Sequence, residues 1–93
     1  MITLTSNYRV AIKRKVLKGI LKMPAGVQTK MKVLVQALET TGPVLPDWPN
    51  YSKLSTTEYH CHLARKWVAC RRMEENMIEI EVYYAGSREN APY

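Results

Sequence analysis

The sequence predicts an α+β domain in which an antiparallel pair of helices packs on one face of a three- to four-stranded antiparallel sheet. Two observations predict this fold class. Apolar residues recur at helical spacing in the first part of the chain, and later segments alternate apolar and polar residues as half-buried strands do. Short turns join the later segments, so neighbouring strands should run antiparallel. With 93 residues, the chain is predicted to form one domain spanning residues 1–93.

Two helices are predicted before residue 42. The first covers residues 8–23 and ends at Pro24, which cannot continue a helix. The second covers residues 25–40 and is stopped by Gly42 and Pro43. The apolar stripes are Ile12, Val16, Leu17, Ile20 and Leu21 in the first helix, and Val27, Met31, Leu34, Val35 and Leu38 in the second.

A loop and three strands follow. Residues 42–57 are rich in turn-forming residues and are predicted to be a loop that Trp48 and Tyr51 hold against the core. The strands are predicted at residues 58–64, 67–73 and 77–85, with turns at 64–66 and 74–76 and Gly86 ending the third. Residues 3–10 are a candidate for a further edge strand.

Positive charge is concentrated in the first part of the chain. Residues 1–38 contain eight Lys or Arg and no Asp or Glu, whereas residues 39–93 contain six basic and eight acidic residues. The first segment is therefore +8 and the second −2, which together give the net charge of +6. An all-basic segment of this length favours an anionic partner such as nucleic acid, although a solvated helix face remains the plainer alternative.

The two histidines of the chain stand in the alternating segment Tyr59-His60-Cys61-His62-Leu63. On a strand, His60 and His62 point to one face, ~7 Å apart along the chain. Two imidazoles with an ordinary pKa near ~6.5 can exchange protons at physiological pH. The pattern alone leaves three alternatives open: a polar face in solvent, a pair of metal ligands, or a site that acts on a substrate.

No metal or cofactor is expected. His60 and His62 supply two ligands on one face, Cys61 points away from them, and no third ligand is evident nearby. Cys61 and Cys70 are interpreted as small core residues on neighbouring strands, without a disulfide framework. No apolar run reaches the ~18 residues of a membrane span, and no secretory signal begins the chain, so a cytoplasmic location is expected.

Several cations and one phenol are expected near the histidines. Arg71 and Arg72 point in opposite directions, so one of them shares the histidine side, and the register decides which. The turn adds Arg65 and Lys66, and the tail adds Arg88 and Tyr93. Cations bind phosphate oxygens, and an imidazole can take a proton from an attacking hydroxyl. RNA carries its own nucleophile, the 2′-OH, so this set of residues suits phosphodiester cleavage without a metal.

The order of these motifs resembles the RelE/ParE superfamily of bacterial toxins, and most nearly its short RelE-like members that end in Pro-Tyr. The resemblance covers residues 8–93. It rests on the helical pair, Gly42-Pro43, Trp48-Pro49-Asn50-Tyr51, Tyr59-His60-Cys61-His62-Leu63, Val68-Ala69-Cys70, Ile80-Glu81-Val82-Tyr83-Tyr84-Ala85-Gly86 and Ala91-Pro92-Tyr93. It implies a ribosome-dependent endoribonuclease that cuts mRNA and is neutralised by a cognate antitoxin protein.

The resemblance also implies roles for individual residues. It makes His62 the general base, His60 a contact to RNA or its phosphate, Arg88 a phosphate ligand and Tyr93 a residue that stacks on or orients the substrate. The remaining RNA- and phosphate-binding candidates are Lys66, Arg65, Arg71, Arg72, Lys13, Arg14 and Lys18. The chain departs from the family pattern in its short 64–66 turn and in having arginine, a poor proton donor, at Arg88.

Two other functions remain open at this point. A ParE-like protein would share the fold and inhibit DNA gyrase by binding, without using the histidines. A catalytically inactive basic module would bind RNA or an acidic protein, with an affinity that falls steeply with salt.

Overall fold

The computed structural model describes residues 8–74 and 78–93 and contains a five-stranded sheet with two helices on one face. The predicted α+β class is confirmed, and the sheet has more strands than expected. In chain order the elements are β1 (Arg9–Ile12), α1 (Arg14–Leu21), α2 (Ala25–Thr41), β2 (Ser52–Lys53), β3 (Glu58–Ala64), β4 (Trp67–Arg72), β5 (Glu79–Ser87) and the 3-10 helix Arg88–Asn90.

The strand order across the sheet is β1-β5-β4-β3-β2. The pairs β2–β3, β3–β4 and β4–β5 are antiparallel, in agreement with the meander that the short turns predict. β1 pairs with β5 in parallel, and the two helices lie between these strands in sequence. A parallel pair needs a long crossover connection, and α1 and α2 form part of this one.

The first predicted helix is wrong over residues 8–12, because Arg9–Ile12 form β1 and Tyr8 precedes that strand. The Arg9 N–H donates to the Ile78 carbonyl at 2.8 Å, and the ladder then pairs Val10 with Ile80 and Ile12 with Val82. Ile12 and Val16 fit a helical stripe by spacing, yet the free edge of β5 offers this segment backbone partners that a longer helix would not use. α1 therefore begins only at Arg14.

Smaller differences concern the other elements. The loop at 42–57 contains β2, a two-residue strand, and the second predicted strand ends one residue early, at Arg72. The third continues through Gly86 to Ser87, because Gly86 pairs with Val68 in the ladder. The predicted edge strand at 3–10 falls within the described residues only from residue 8 on, and most of the 74–76 turn lies outside them.

The hydrophobic core lies between the helices and one face of the sheet. α2 contributes Val27, Met31, Leu34 and Leu38, and the sheet contributes Cys61, Leu63, Ala69, Ile80, Val82 and Ala85. Trp48 and Tyr51 pack against this core, as predicted. Since side chains alternate along a strand, the helices cover one face and the opposite face carries the histidines.

None of the helices in the described ranges, 8–74 and 78–93, has the length and apolar character needed to cross a bilayer.

Candidate functional site

The two histidines stand side by side on the sheet face opposite the helices. Their rings are 5.9 Å apart between centroids and meet edge to face. The register pairs His60 with Cys70 and His62 with Val68, so the neighbouring strand presents those two side chains to the same face. We call this surface the histidine face, defined by Glu58, His60, His62, Val68, Cys70, Arg72 and Tyr84.

Both imidazoles are buried rather than spread on a solvated strand. His60 and His62 are each 8% exposed. The C-terminal tail returns over this face and places the ring of Tyr93 4.3 Å from the ring of His60. The 42–51 loop approaches from the other side, where the Pro49 carbonyl accepts the backbone N–H of His62 at 2.8 Å. A buried polar pair of this kind needs specific partners.

Side chains just before β3 supply those partners. The Asn50 amide nitrogen lies 3.2 Å from Nδ1 of His62, and the Ser52 hydroxyl lies 2.8 Å from Nδ1 of His60. Both bonds use Nδ1, so Nε2 of each ring is left for other contacts. The Asn50 amide can present its NH₂ donor to Nδ1 or, after half a turn, its oxygen acceptor. A donor at Nδ1 places the hydrogen of the neutral His62 ring on Nε2, whereas an acceptor places it on Nδ1.

Burial keeps both histidines neutral at physiological pH. It lowers the pKa of His60, and the neighbouring His62 lowers it further. Burial likewise lowers the pKa of His62, and the positive charge of Arg88 adds to that effect. A neutral imidazole can accept a proton, so the site is in the state that a general base requires. Burial also raises the pKa of Tyr93, whose phenol therefore keeps its proton.

A cationic edge borders the histidine face where β4 and β5 meet the tail. Arg65 and Lys66 form the exposed turn between β3 and β4, and the Lys66 carbonyl accepts the backbone N–H of Arg88 at 2.8 Å. Lys66 and Arg88 both line a cleft of about 300 Å³ together with Trp67, Ser87 and Glu89. The structure thus brings Arg88, Tyr93, His60 and His62 to one region, with Lys66 at its border.

The register settles which arginine of β4 faces the histidines. Arg72 pairs with Glu58 and Glu81, lies on the histidine face, and forms ion pairs with their carboxylates at 3.8 and 3.6 Å. Arg71 pairs with Tyr59 on the helix side and is 0% exposed. The sequence-based listing of Arg71 among phosphate-binding residues is therefore corrected: RNA cannot reach its guanidinium.

The two cysteines lie on opposite faces of the sheet. Cys61 is in the core, as predicted, whereas Cys70 is buried on the histidine face opposite Tyr84. Burial raises the pKa of Cys70 to about 11 and also raises that of Cys61, so both are held as thiols. Their separation by the sheet leaves both cysteines free.

Across the described ranges, no three His, Cys, Asp or Glu side chains are grouped as a metal site would need.

The basic residues of the first helix lie apart from the histidines. α1 packs against β5, two strands from β3 in the sheet. Arg14 and Lys18 are exposed there, and Lys13 pairs with Glu81 at 3.2 Å while remaining 75% exposed. The Lys13 side chain thus projects largely into solvent. These three residues form a separate cationic surface.

Sequence reasoning missed Asn50 and Ser52, the residues that orient the imidazoles. Both residues fall in the segment 42–57, whose composition predicts a loop. Their role depends on the pairing of Ser52 with His60, which fixes how the loop returns beside β3. The sequence shows that two polar residues precede the strand that carries the histidines. It does not show that their side chains lie within hydrogen-bonding distance of the rings.

Solved structures of archaeal and bacterial toxins share this fold. The chain superposes on RelE in the RelE–RelB complex of Pyrococcus horikoshii OT3 with a TM-score of 0.72 at 16% identity, covering 91% of this chain and 99% of that one. The chain adopts a RelE-like fold. Free E. coli RelE carrying two arginine-to-alanine substitutions gives 0.70 at 13% identity, covering 89% and 85%, respectively. A chain of the E. coli DinJ–YafQ toxin–antitoxin complex gives 0.64 at 12% identity, covering 89% and 94%.

Comparison of sequences identifies no family or relative beyond the structural similarity. No protein-family profile matches the chain, and no curated protein sequence matches it. At 12–16% identity the solved structures establish the fold, and the chemistry has to be argued from the residues on the histidine face.

The depressed histidine pKa values predict a loss of stability in mild acid. The unfolded chain takes up protons near pH ~6.5, whereas the folded chain does so only at lower pH, so protonation favours unfolding between those values. The stabilising contribution is complete above pH ~6.5 and is lost as the pH falls through the folded pKa. Imidazole titration by NMR and urea unfolding from pH 7.5 to 5.5, within the range histidine titrates, would measure both effects.

The variant with both His60→Gln and His62→Gln is the control, because glutamine does not titrate. It should show a flatter dependence of the urea midpoint on pH. Native pKa values at or above ~6.5 would contradict the burial argument.

Proposed function

We propose that this chain is the toxin of a toxin–antitoxin pair and cleaves mRNA on the ribosome as a metal-independent endoribonuclease. The observation that carries the proposal is the convergence of two buried, neutral imidazoles with Arg88 and Tyr93 beside a cationic edge. The RelE-like fold supports the toxin role, since the similar structures are described as RelE and as members of the RelE–RelB and DinJ–YafQ complexes.

The proposed reaction is a transfer within the RNA strand. His62 takes the proton of the ribose 2′-OH, and the 2′ oxygen then attacks the adjacent phosphorus. The bond from phosphorus to the 5′ oxygen breaks as the new bond forms, leaving a 2′,3′-cyclic phosphate upstream and a 5′-hydroxyl downstream. For Nε2 of His62 to accept the proton, Nδ1 must hold its own hydrogen. In the structure the Asn50 amide nitrogen faces Nδ1, so this step needs the amide turned by half a turn, with its oxygen accepting the Nδ1 hydrogen.

The other side chains have complementary roles in this proposal. Arg88 stabilises the charge that develops on the phosphate oxygens, since a guanidinium donates several hydrogen bonds and does not lose its proton. Tyr93 is protonated and lies against His60, so its hydroxyl can donate the proton that turns the departing 5′ oxygen into the 5′-hydroxyl. His60, Lys66 and Arg65 contact the RNA beside the scissile phosphate, and Arg72 lies further along the same face.

The ribosome supplies the rest of the binding surface. Arg14 and Lys18 are exposed on α1 and Lys13 stands at its start, so three cations face solvent along one short helix. Contacts from such a surface to ribosomal RNA would hold the histidine face toward the mRNA. Binding through phosphates is expected to weaken steeply with salt.

His62→Gln is expected to lower mRNA cleavage by about 10²–10⁴-fold, because the amide preserves much of the side chain's size but cannot take the 2′-OH proton. Cleavage is measured by mapping new 5′ ends on mRNA in a reconstituted translation reaction, with and without ribosomes. The native chain should give ends phased with codons and only with ribosomes present.

Thr56→Ala, at an exposed position of the loop before β3, is the matched control and should cleave as the native chain does. Absence of new ends with the native chain would refute the nuclease. Inhibition of DNA gyrase supercoiling that is unchanged in His62→Gln would instead identify a ParE-like inhibitor. Salt-dependent binding of RNA without cleavage would identify a basic binding module.

The antitoxin is proposed to cover an apolar groove between α1, α2 and β1. The groove has a volume of about 390 Å³ and is lined by Ile12, Leu17, Ile20, Leu21, Gln28, Met31, Lys32, Val35 and Gln36. Leu17 and Leu21 are 45% and 64% exposed, which is high for leucines in a folded chain. Because residues 1–38 carry basic and no acidic residues, the groove suits an amphipathic antitoxin helix with acidic flanks.

Leu21→Asp is expected to weaken antitoxin binding at least about 10-fold, or about 1.4 kcal/mol, by removing apolar contact and repelling acidic flanks. Val44→Asp is the control, because Val44 is 51% exposed and lies outside the groove. The protein encoded beside this gene would be titrated against both variants by calorimetry. Equal affinities for the two variants would exclude the groove as the contact.

A further inference from the structure

We infer that Arg71 is a positioning residue, which holds the 43–51 loop against the sheet so that Asn50 fixes the orientation and tautomer of His62. The geometric part of this inference concerns the free chain, and its consequence for catalysis rests on the proposed function. Arg71 touches neither histidine ring in this arrangement and acts through the loop.

The guanidinium of Arg71 is completely buried and makes contacts at both ends of the loop. Its Nε and one terminal nitrogen donate to the Pro43 carbonyl at 3.2 and 2.8 Å. The other terminal nitrogen donates to Sγ of Cys61 at 3.2 Å. The ring of Tyr51 lies 5.7 Å from the guanidinium carbon. One side chain therefore joins the first and last residues of the 43–51 segment to β4.

An apolar side chain would fill the space of Arg71 at a lower cost in free energy than a buried charge does. In the described ranges no carboxylate forms an ion pair with Arg71. Removing a charge from water is unfavourable, and replacing a buried charge by an apolar side chain often recovers that free energy. An apolar side chain would fill the same space but could not bind the Pro43 carbonyl. The Arg71 guanidinium binds that carbonyl with two donors. We therefore attribute the buried charge of Arg71 to its role in holding the 43–51 loop.

The tethered loop makes direct contact with the site. The Pro49 carbonyl accepts the His62 N–H, Asn50 contacts Nδ1 of His62, and Ser52 follows at once to contact Nδ1 of His60. A loop that moved by an ångström would break the 3.2 Å contact between Asn50 and His62, because such a bond is already near the long end of the usual range.

The loop backbone also needs an external constraint. Gly42 has φ of 102° and Asn50 has φ of 51°, so a left-handed residue stands at each end of the segment. A non-glycine residue such as Asn50 is strained in this region and persists there when its surroundings fix it. Arg71 contacts Pro43 and Tyr51, the residues that directly follow Gly42 and Asn50, and these contacts supply that constraint.

The test is the ¹⁵N NMR spectrum of the His62 ring in the isolated chain, with Arg71→Met compared with the native chain. Methionine fills a similar volume without donating to the Pro43 carbonyl. We expect the native ring to hold one neutral tautomer and the variant to average two, with the His62 pKa moving toward its ordinary value. Ile20→Ala, a destabilising change in the helix-side core, is the control and should leave the ring signals unchanged.

A second pair of variants covers the case in which Arg71→Met does not fold. Tyr51→Leu removes the ring from the guanidinium, whereas Tyr51→Phe keeps it, so the former should shift the His62 signals and the latter should not. Folded variants with native ring signals would overturn the inference. If the signals shift as expected but the native chain does not cleave mRNA, the positioning role stands and the proposed nuclease fails.

Discussion

The hydrogen bonds from the buried Arg71 guanidinium to the Pro43 carbonyl connect the core to the candidate site. They fix one end of the loop that carries Asn50, while Tyr51 stacks near the same guanidinium at the other end. The helices stabilise one face of the sheet by apolar burial, which has no directional preference. The histidine face instead depends on directed bonds that reach it from β4 through the loop.

Burial gives the histidine face its chemical character. A strand with two exposed imidazoles would titrate near pH ~6.5 and would have no defined ring orientation. Here the loop and the returning tail cover both rings, so they are neutral and each is bonded at Nδ1. The nearby cations Arg88 and Lys66 stand at the open edge, where a phosphate could approach without desolvating them. In the proposed reaction, this arrangement would leave proton transfer to the histidines and charge stabilisation to the cations.

The sequence predicted much of this fold because its signals are local. Alternation placed His60 and His62 on one strand face, and the turn residues placed the loop. The sequence did not predict features that depend on how the strands are aligned with one another. It did not separate Arg71 from Arg72, place Cys70 on the histidine face, or bring Asn50 and Ser52 to the rings, because each depends on pairing between distant segments. The segment of β1 was assigned to the first helix, with residues 3–10 as a candidate edge strand, because Ile12 also fits a helical stripe. Its pairing with β5 decided in favour of the strand.

Whether His62 promotes attack by the RNA 2′-OH can be read from the chemical ends of the cleaved mRNA. That attack leaves a 2′,3′-cyclic phosphate on the upstream fragment and a 5′-hydroxyl on the downstream fragment, and the 5′-hydroxyl accepts a radioactive phosphate without prior phosphatase treatment. A 5′-phosphate with a 3′-hydroxyl would rule out attack by the 2′-OH, because those ends arise when water or another external nucleophile attacks the phosphorus.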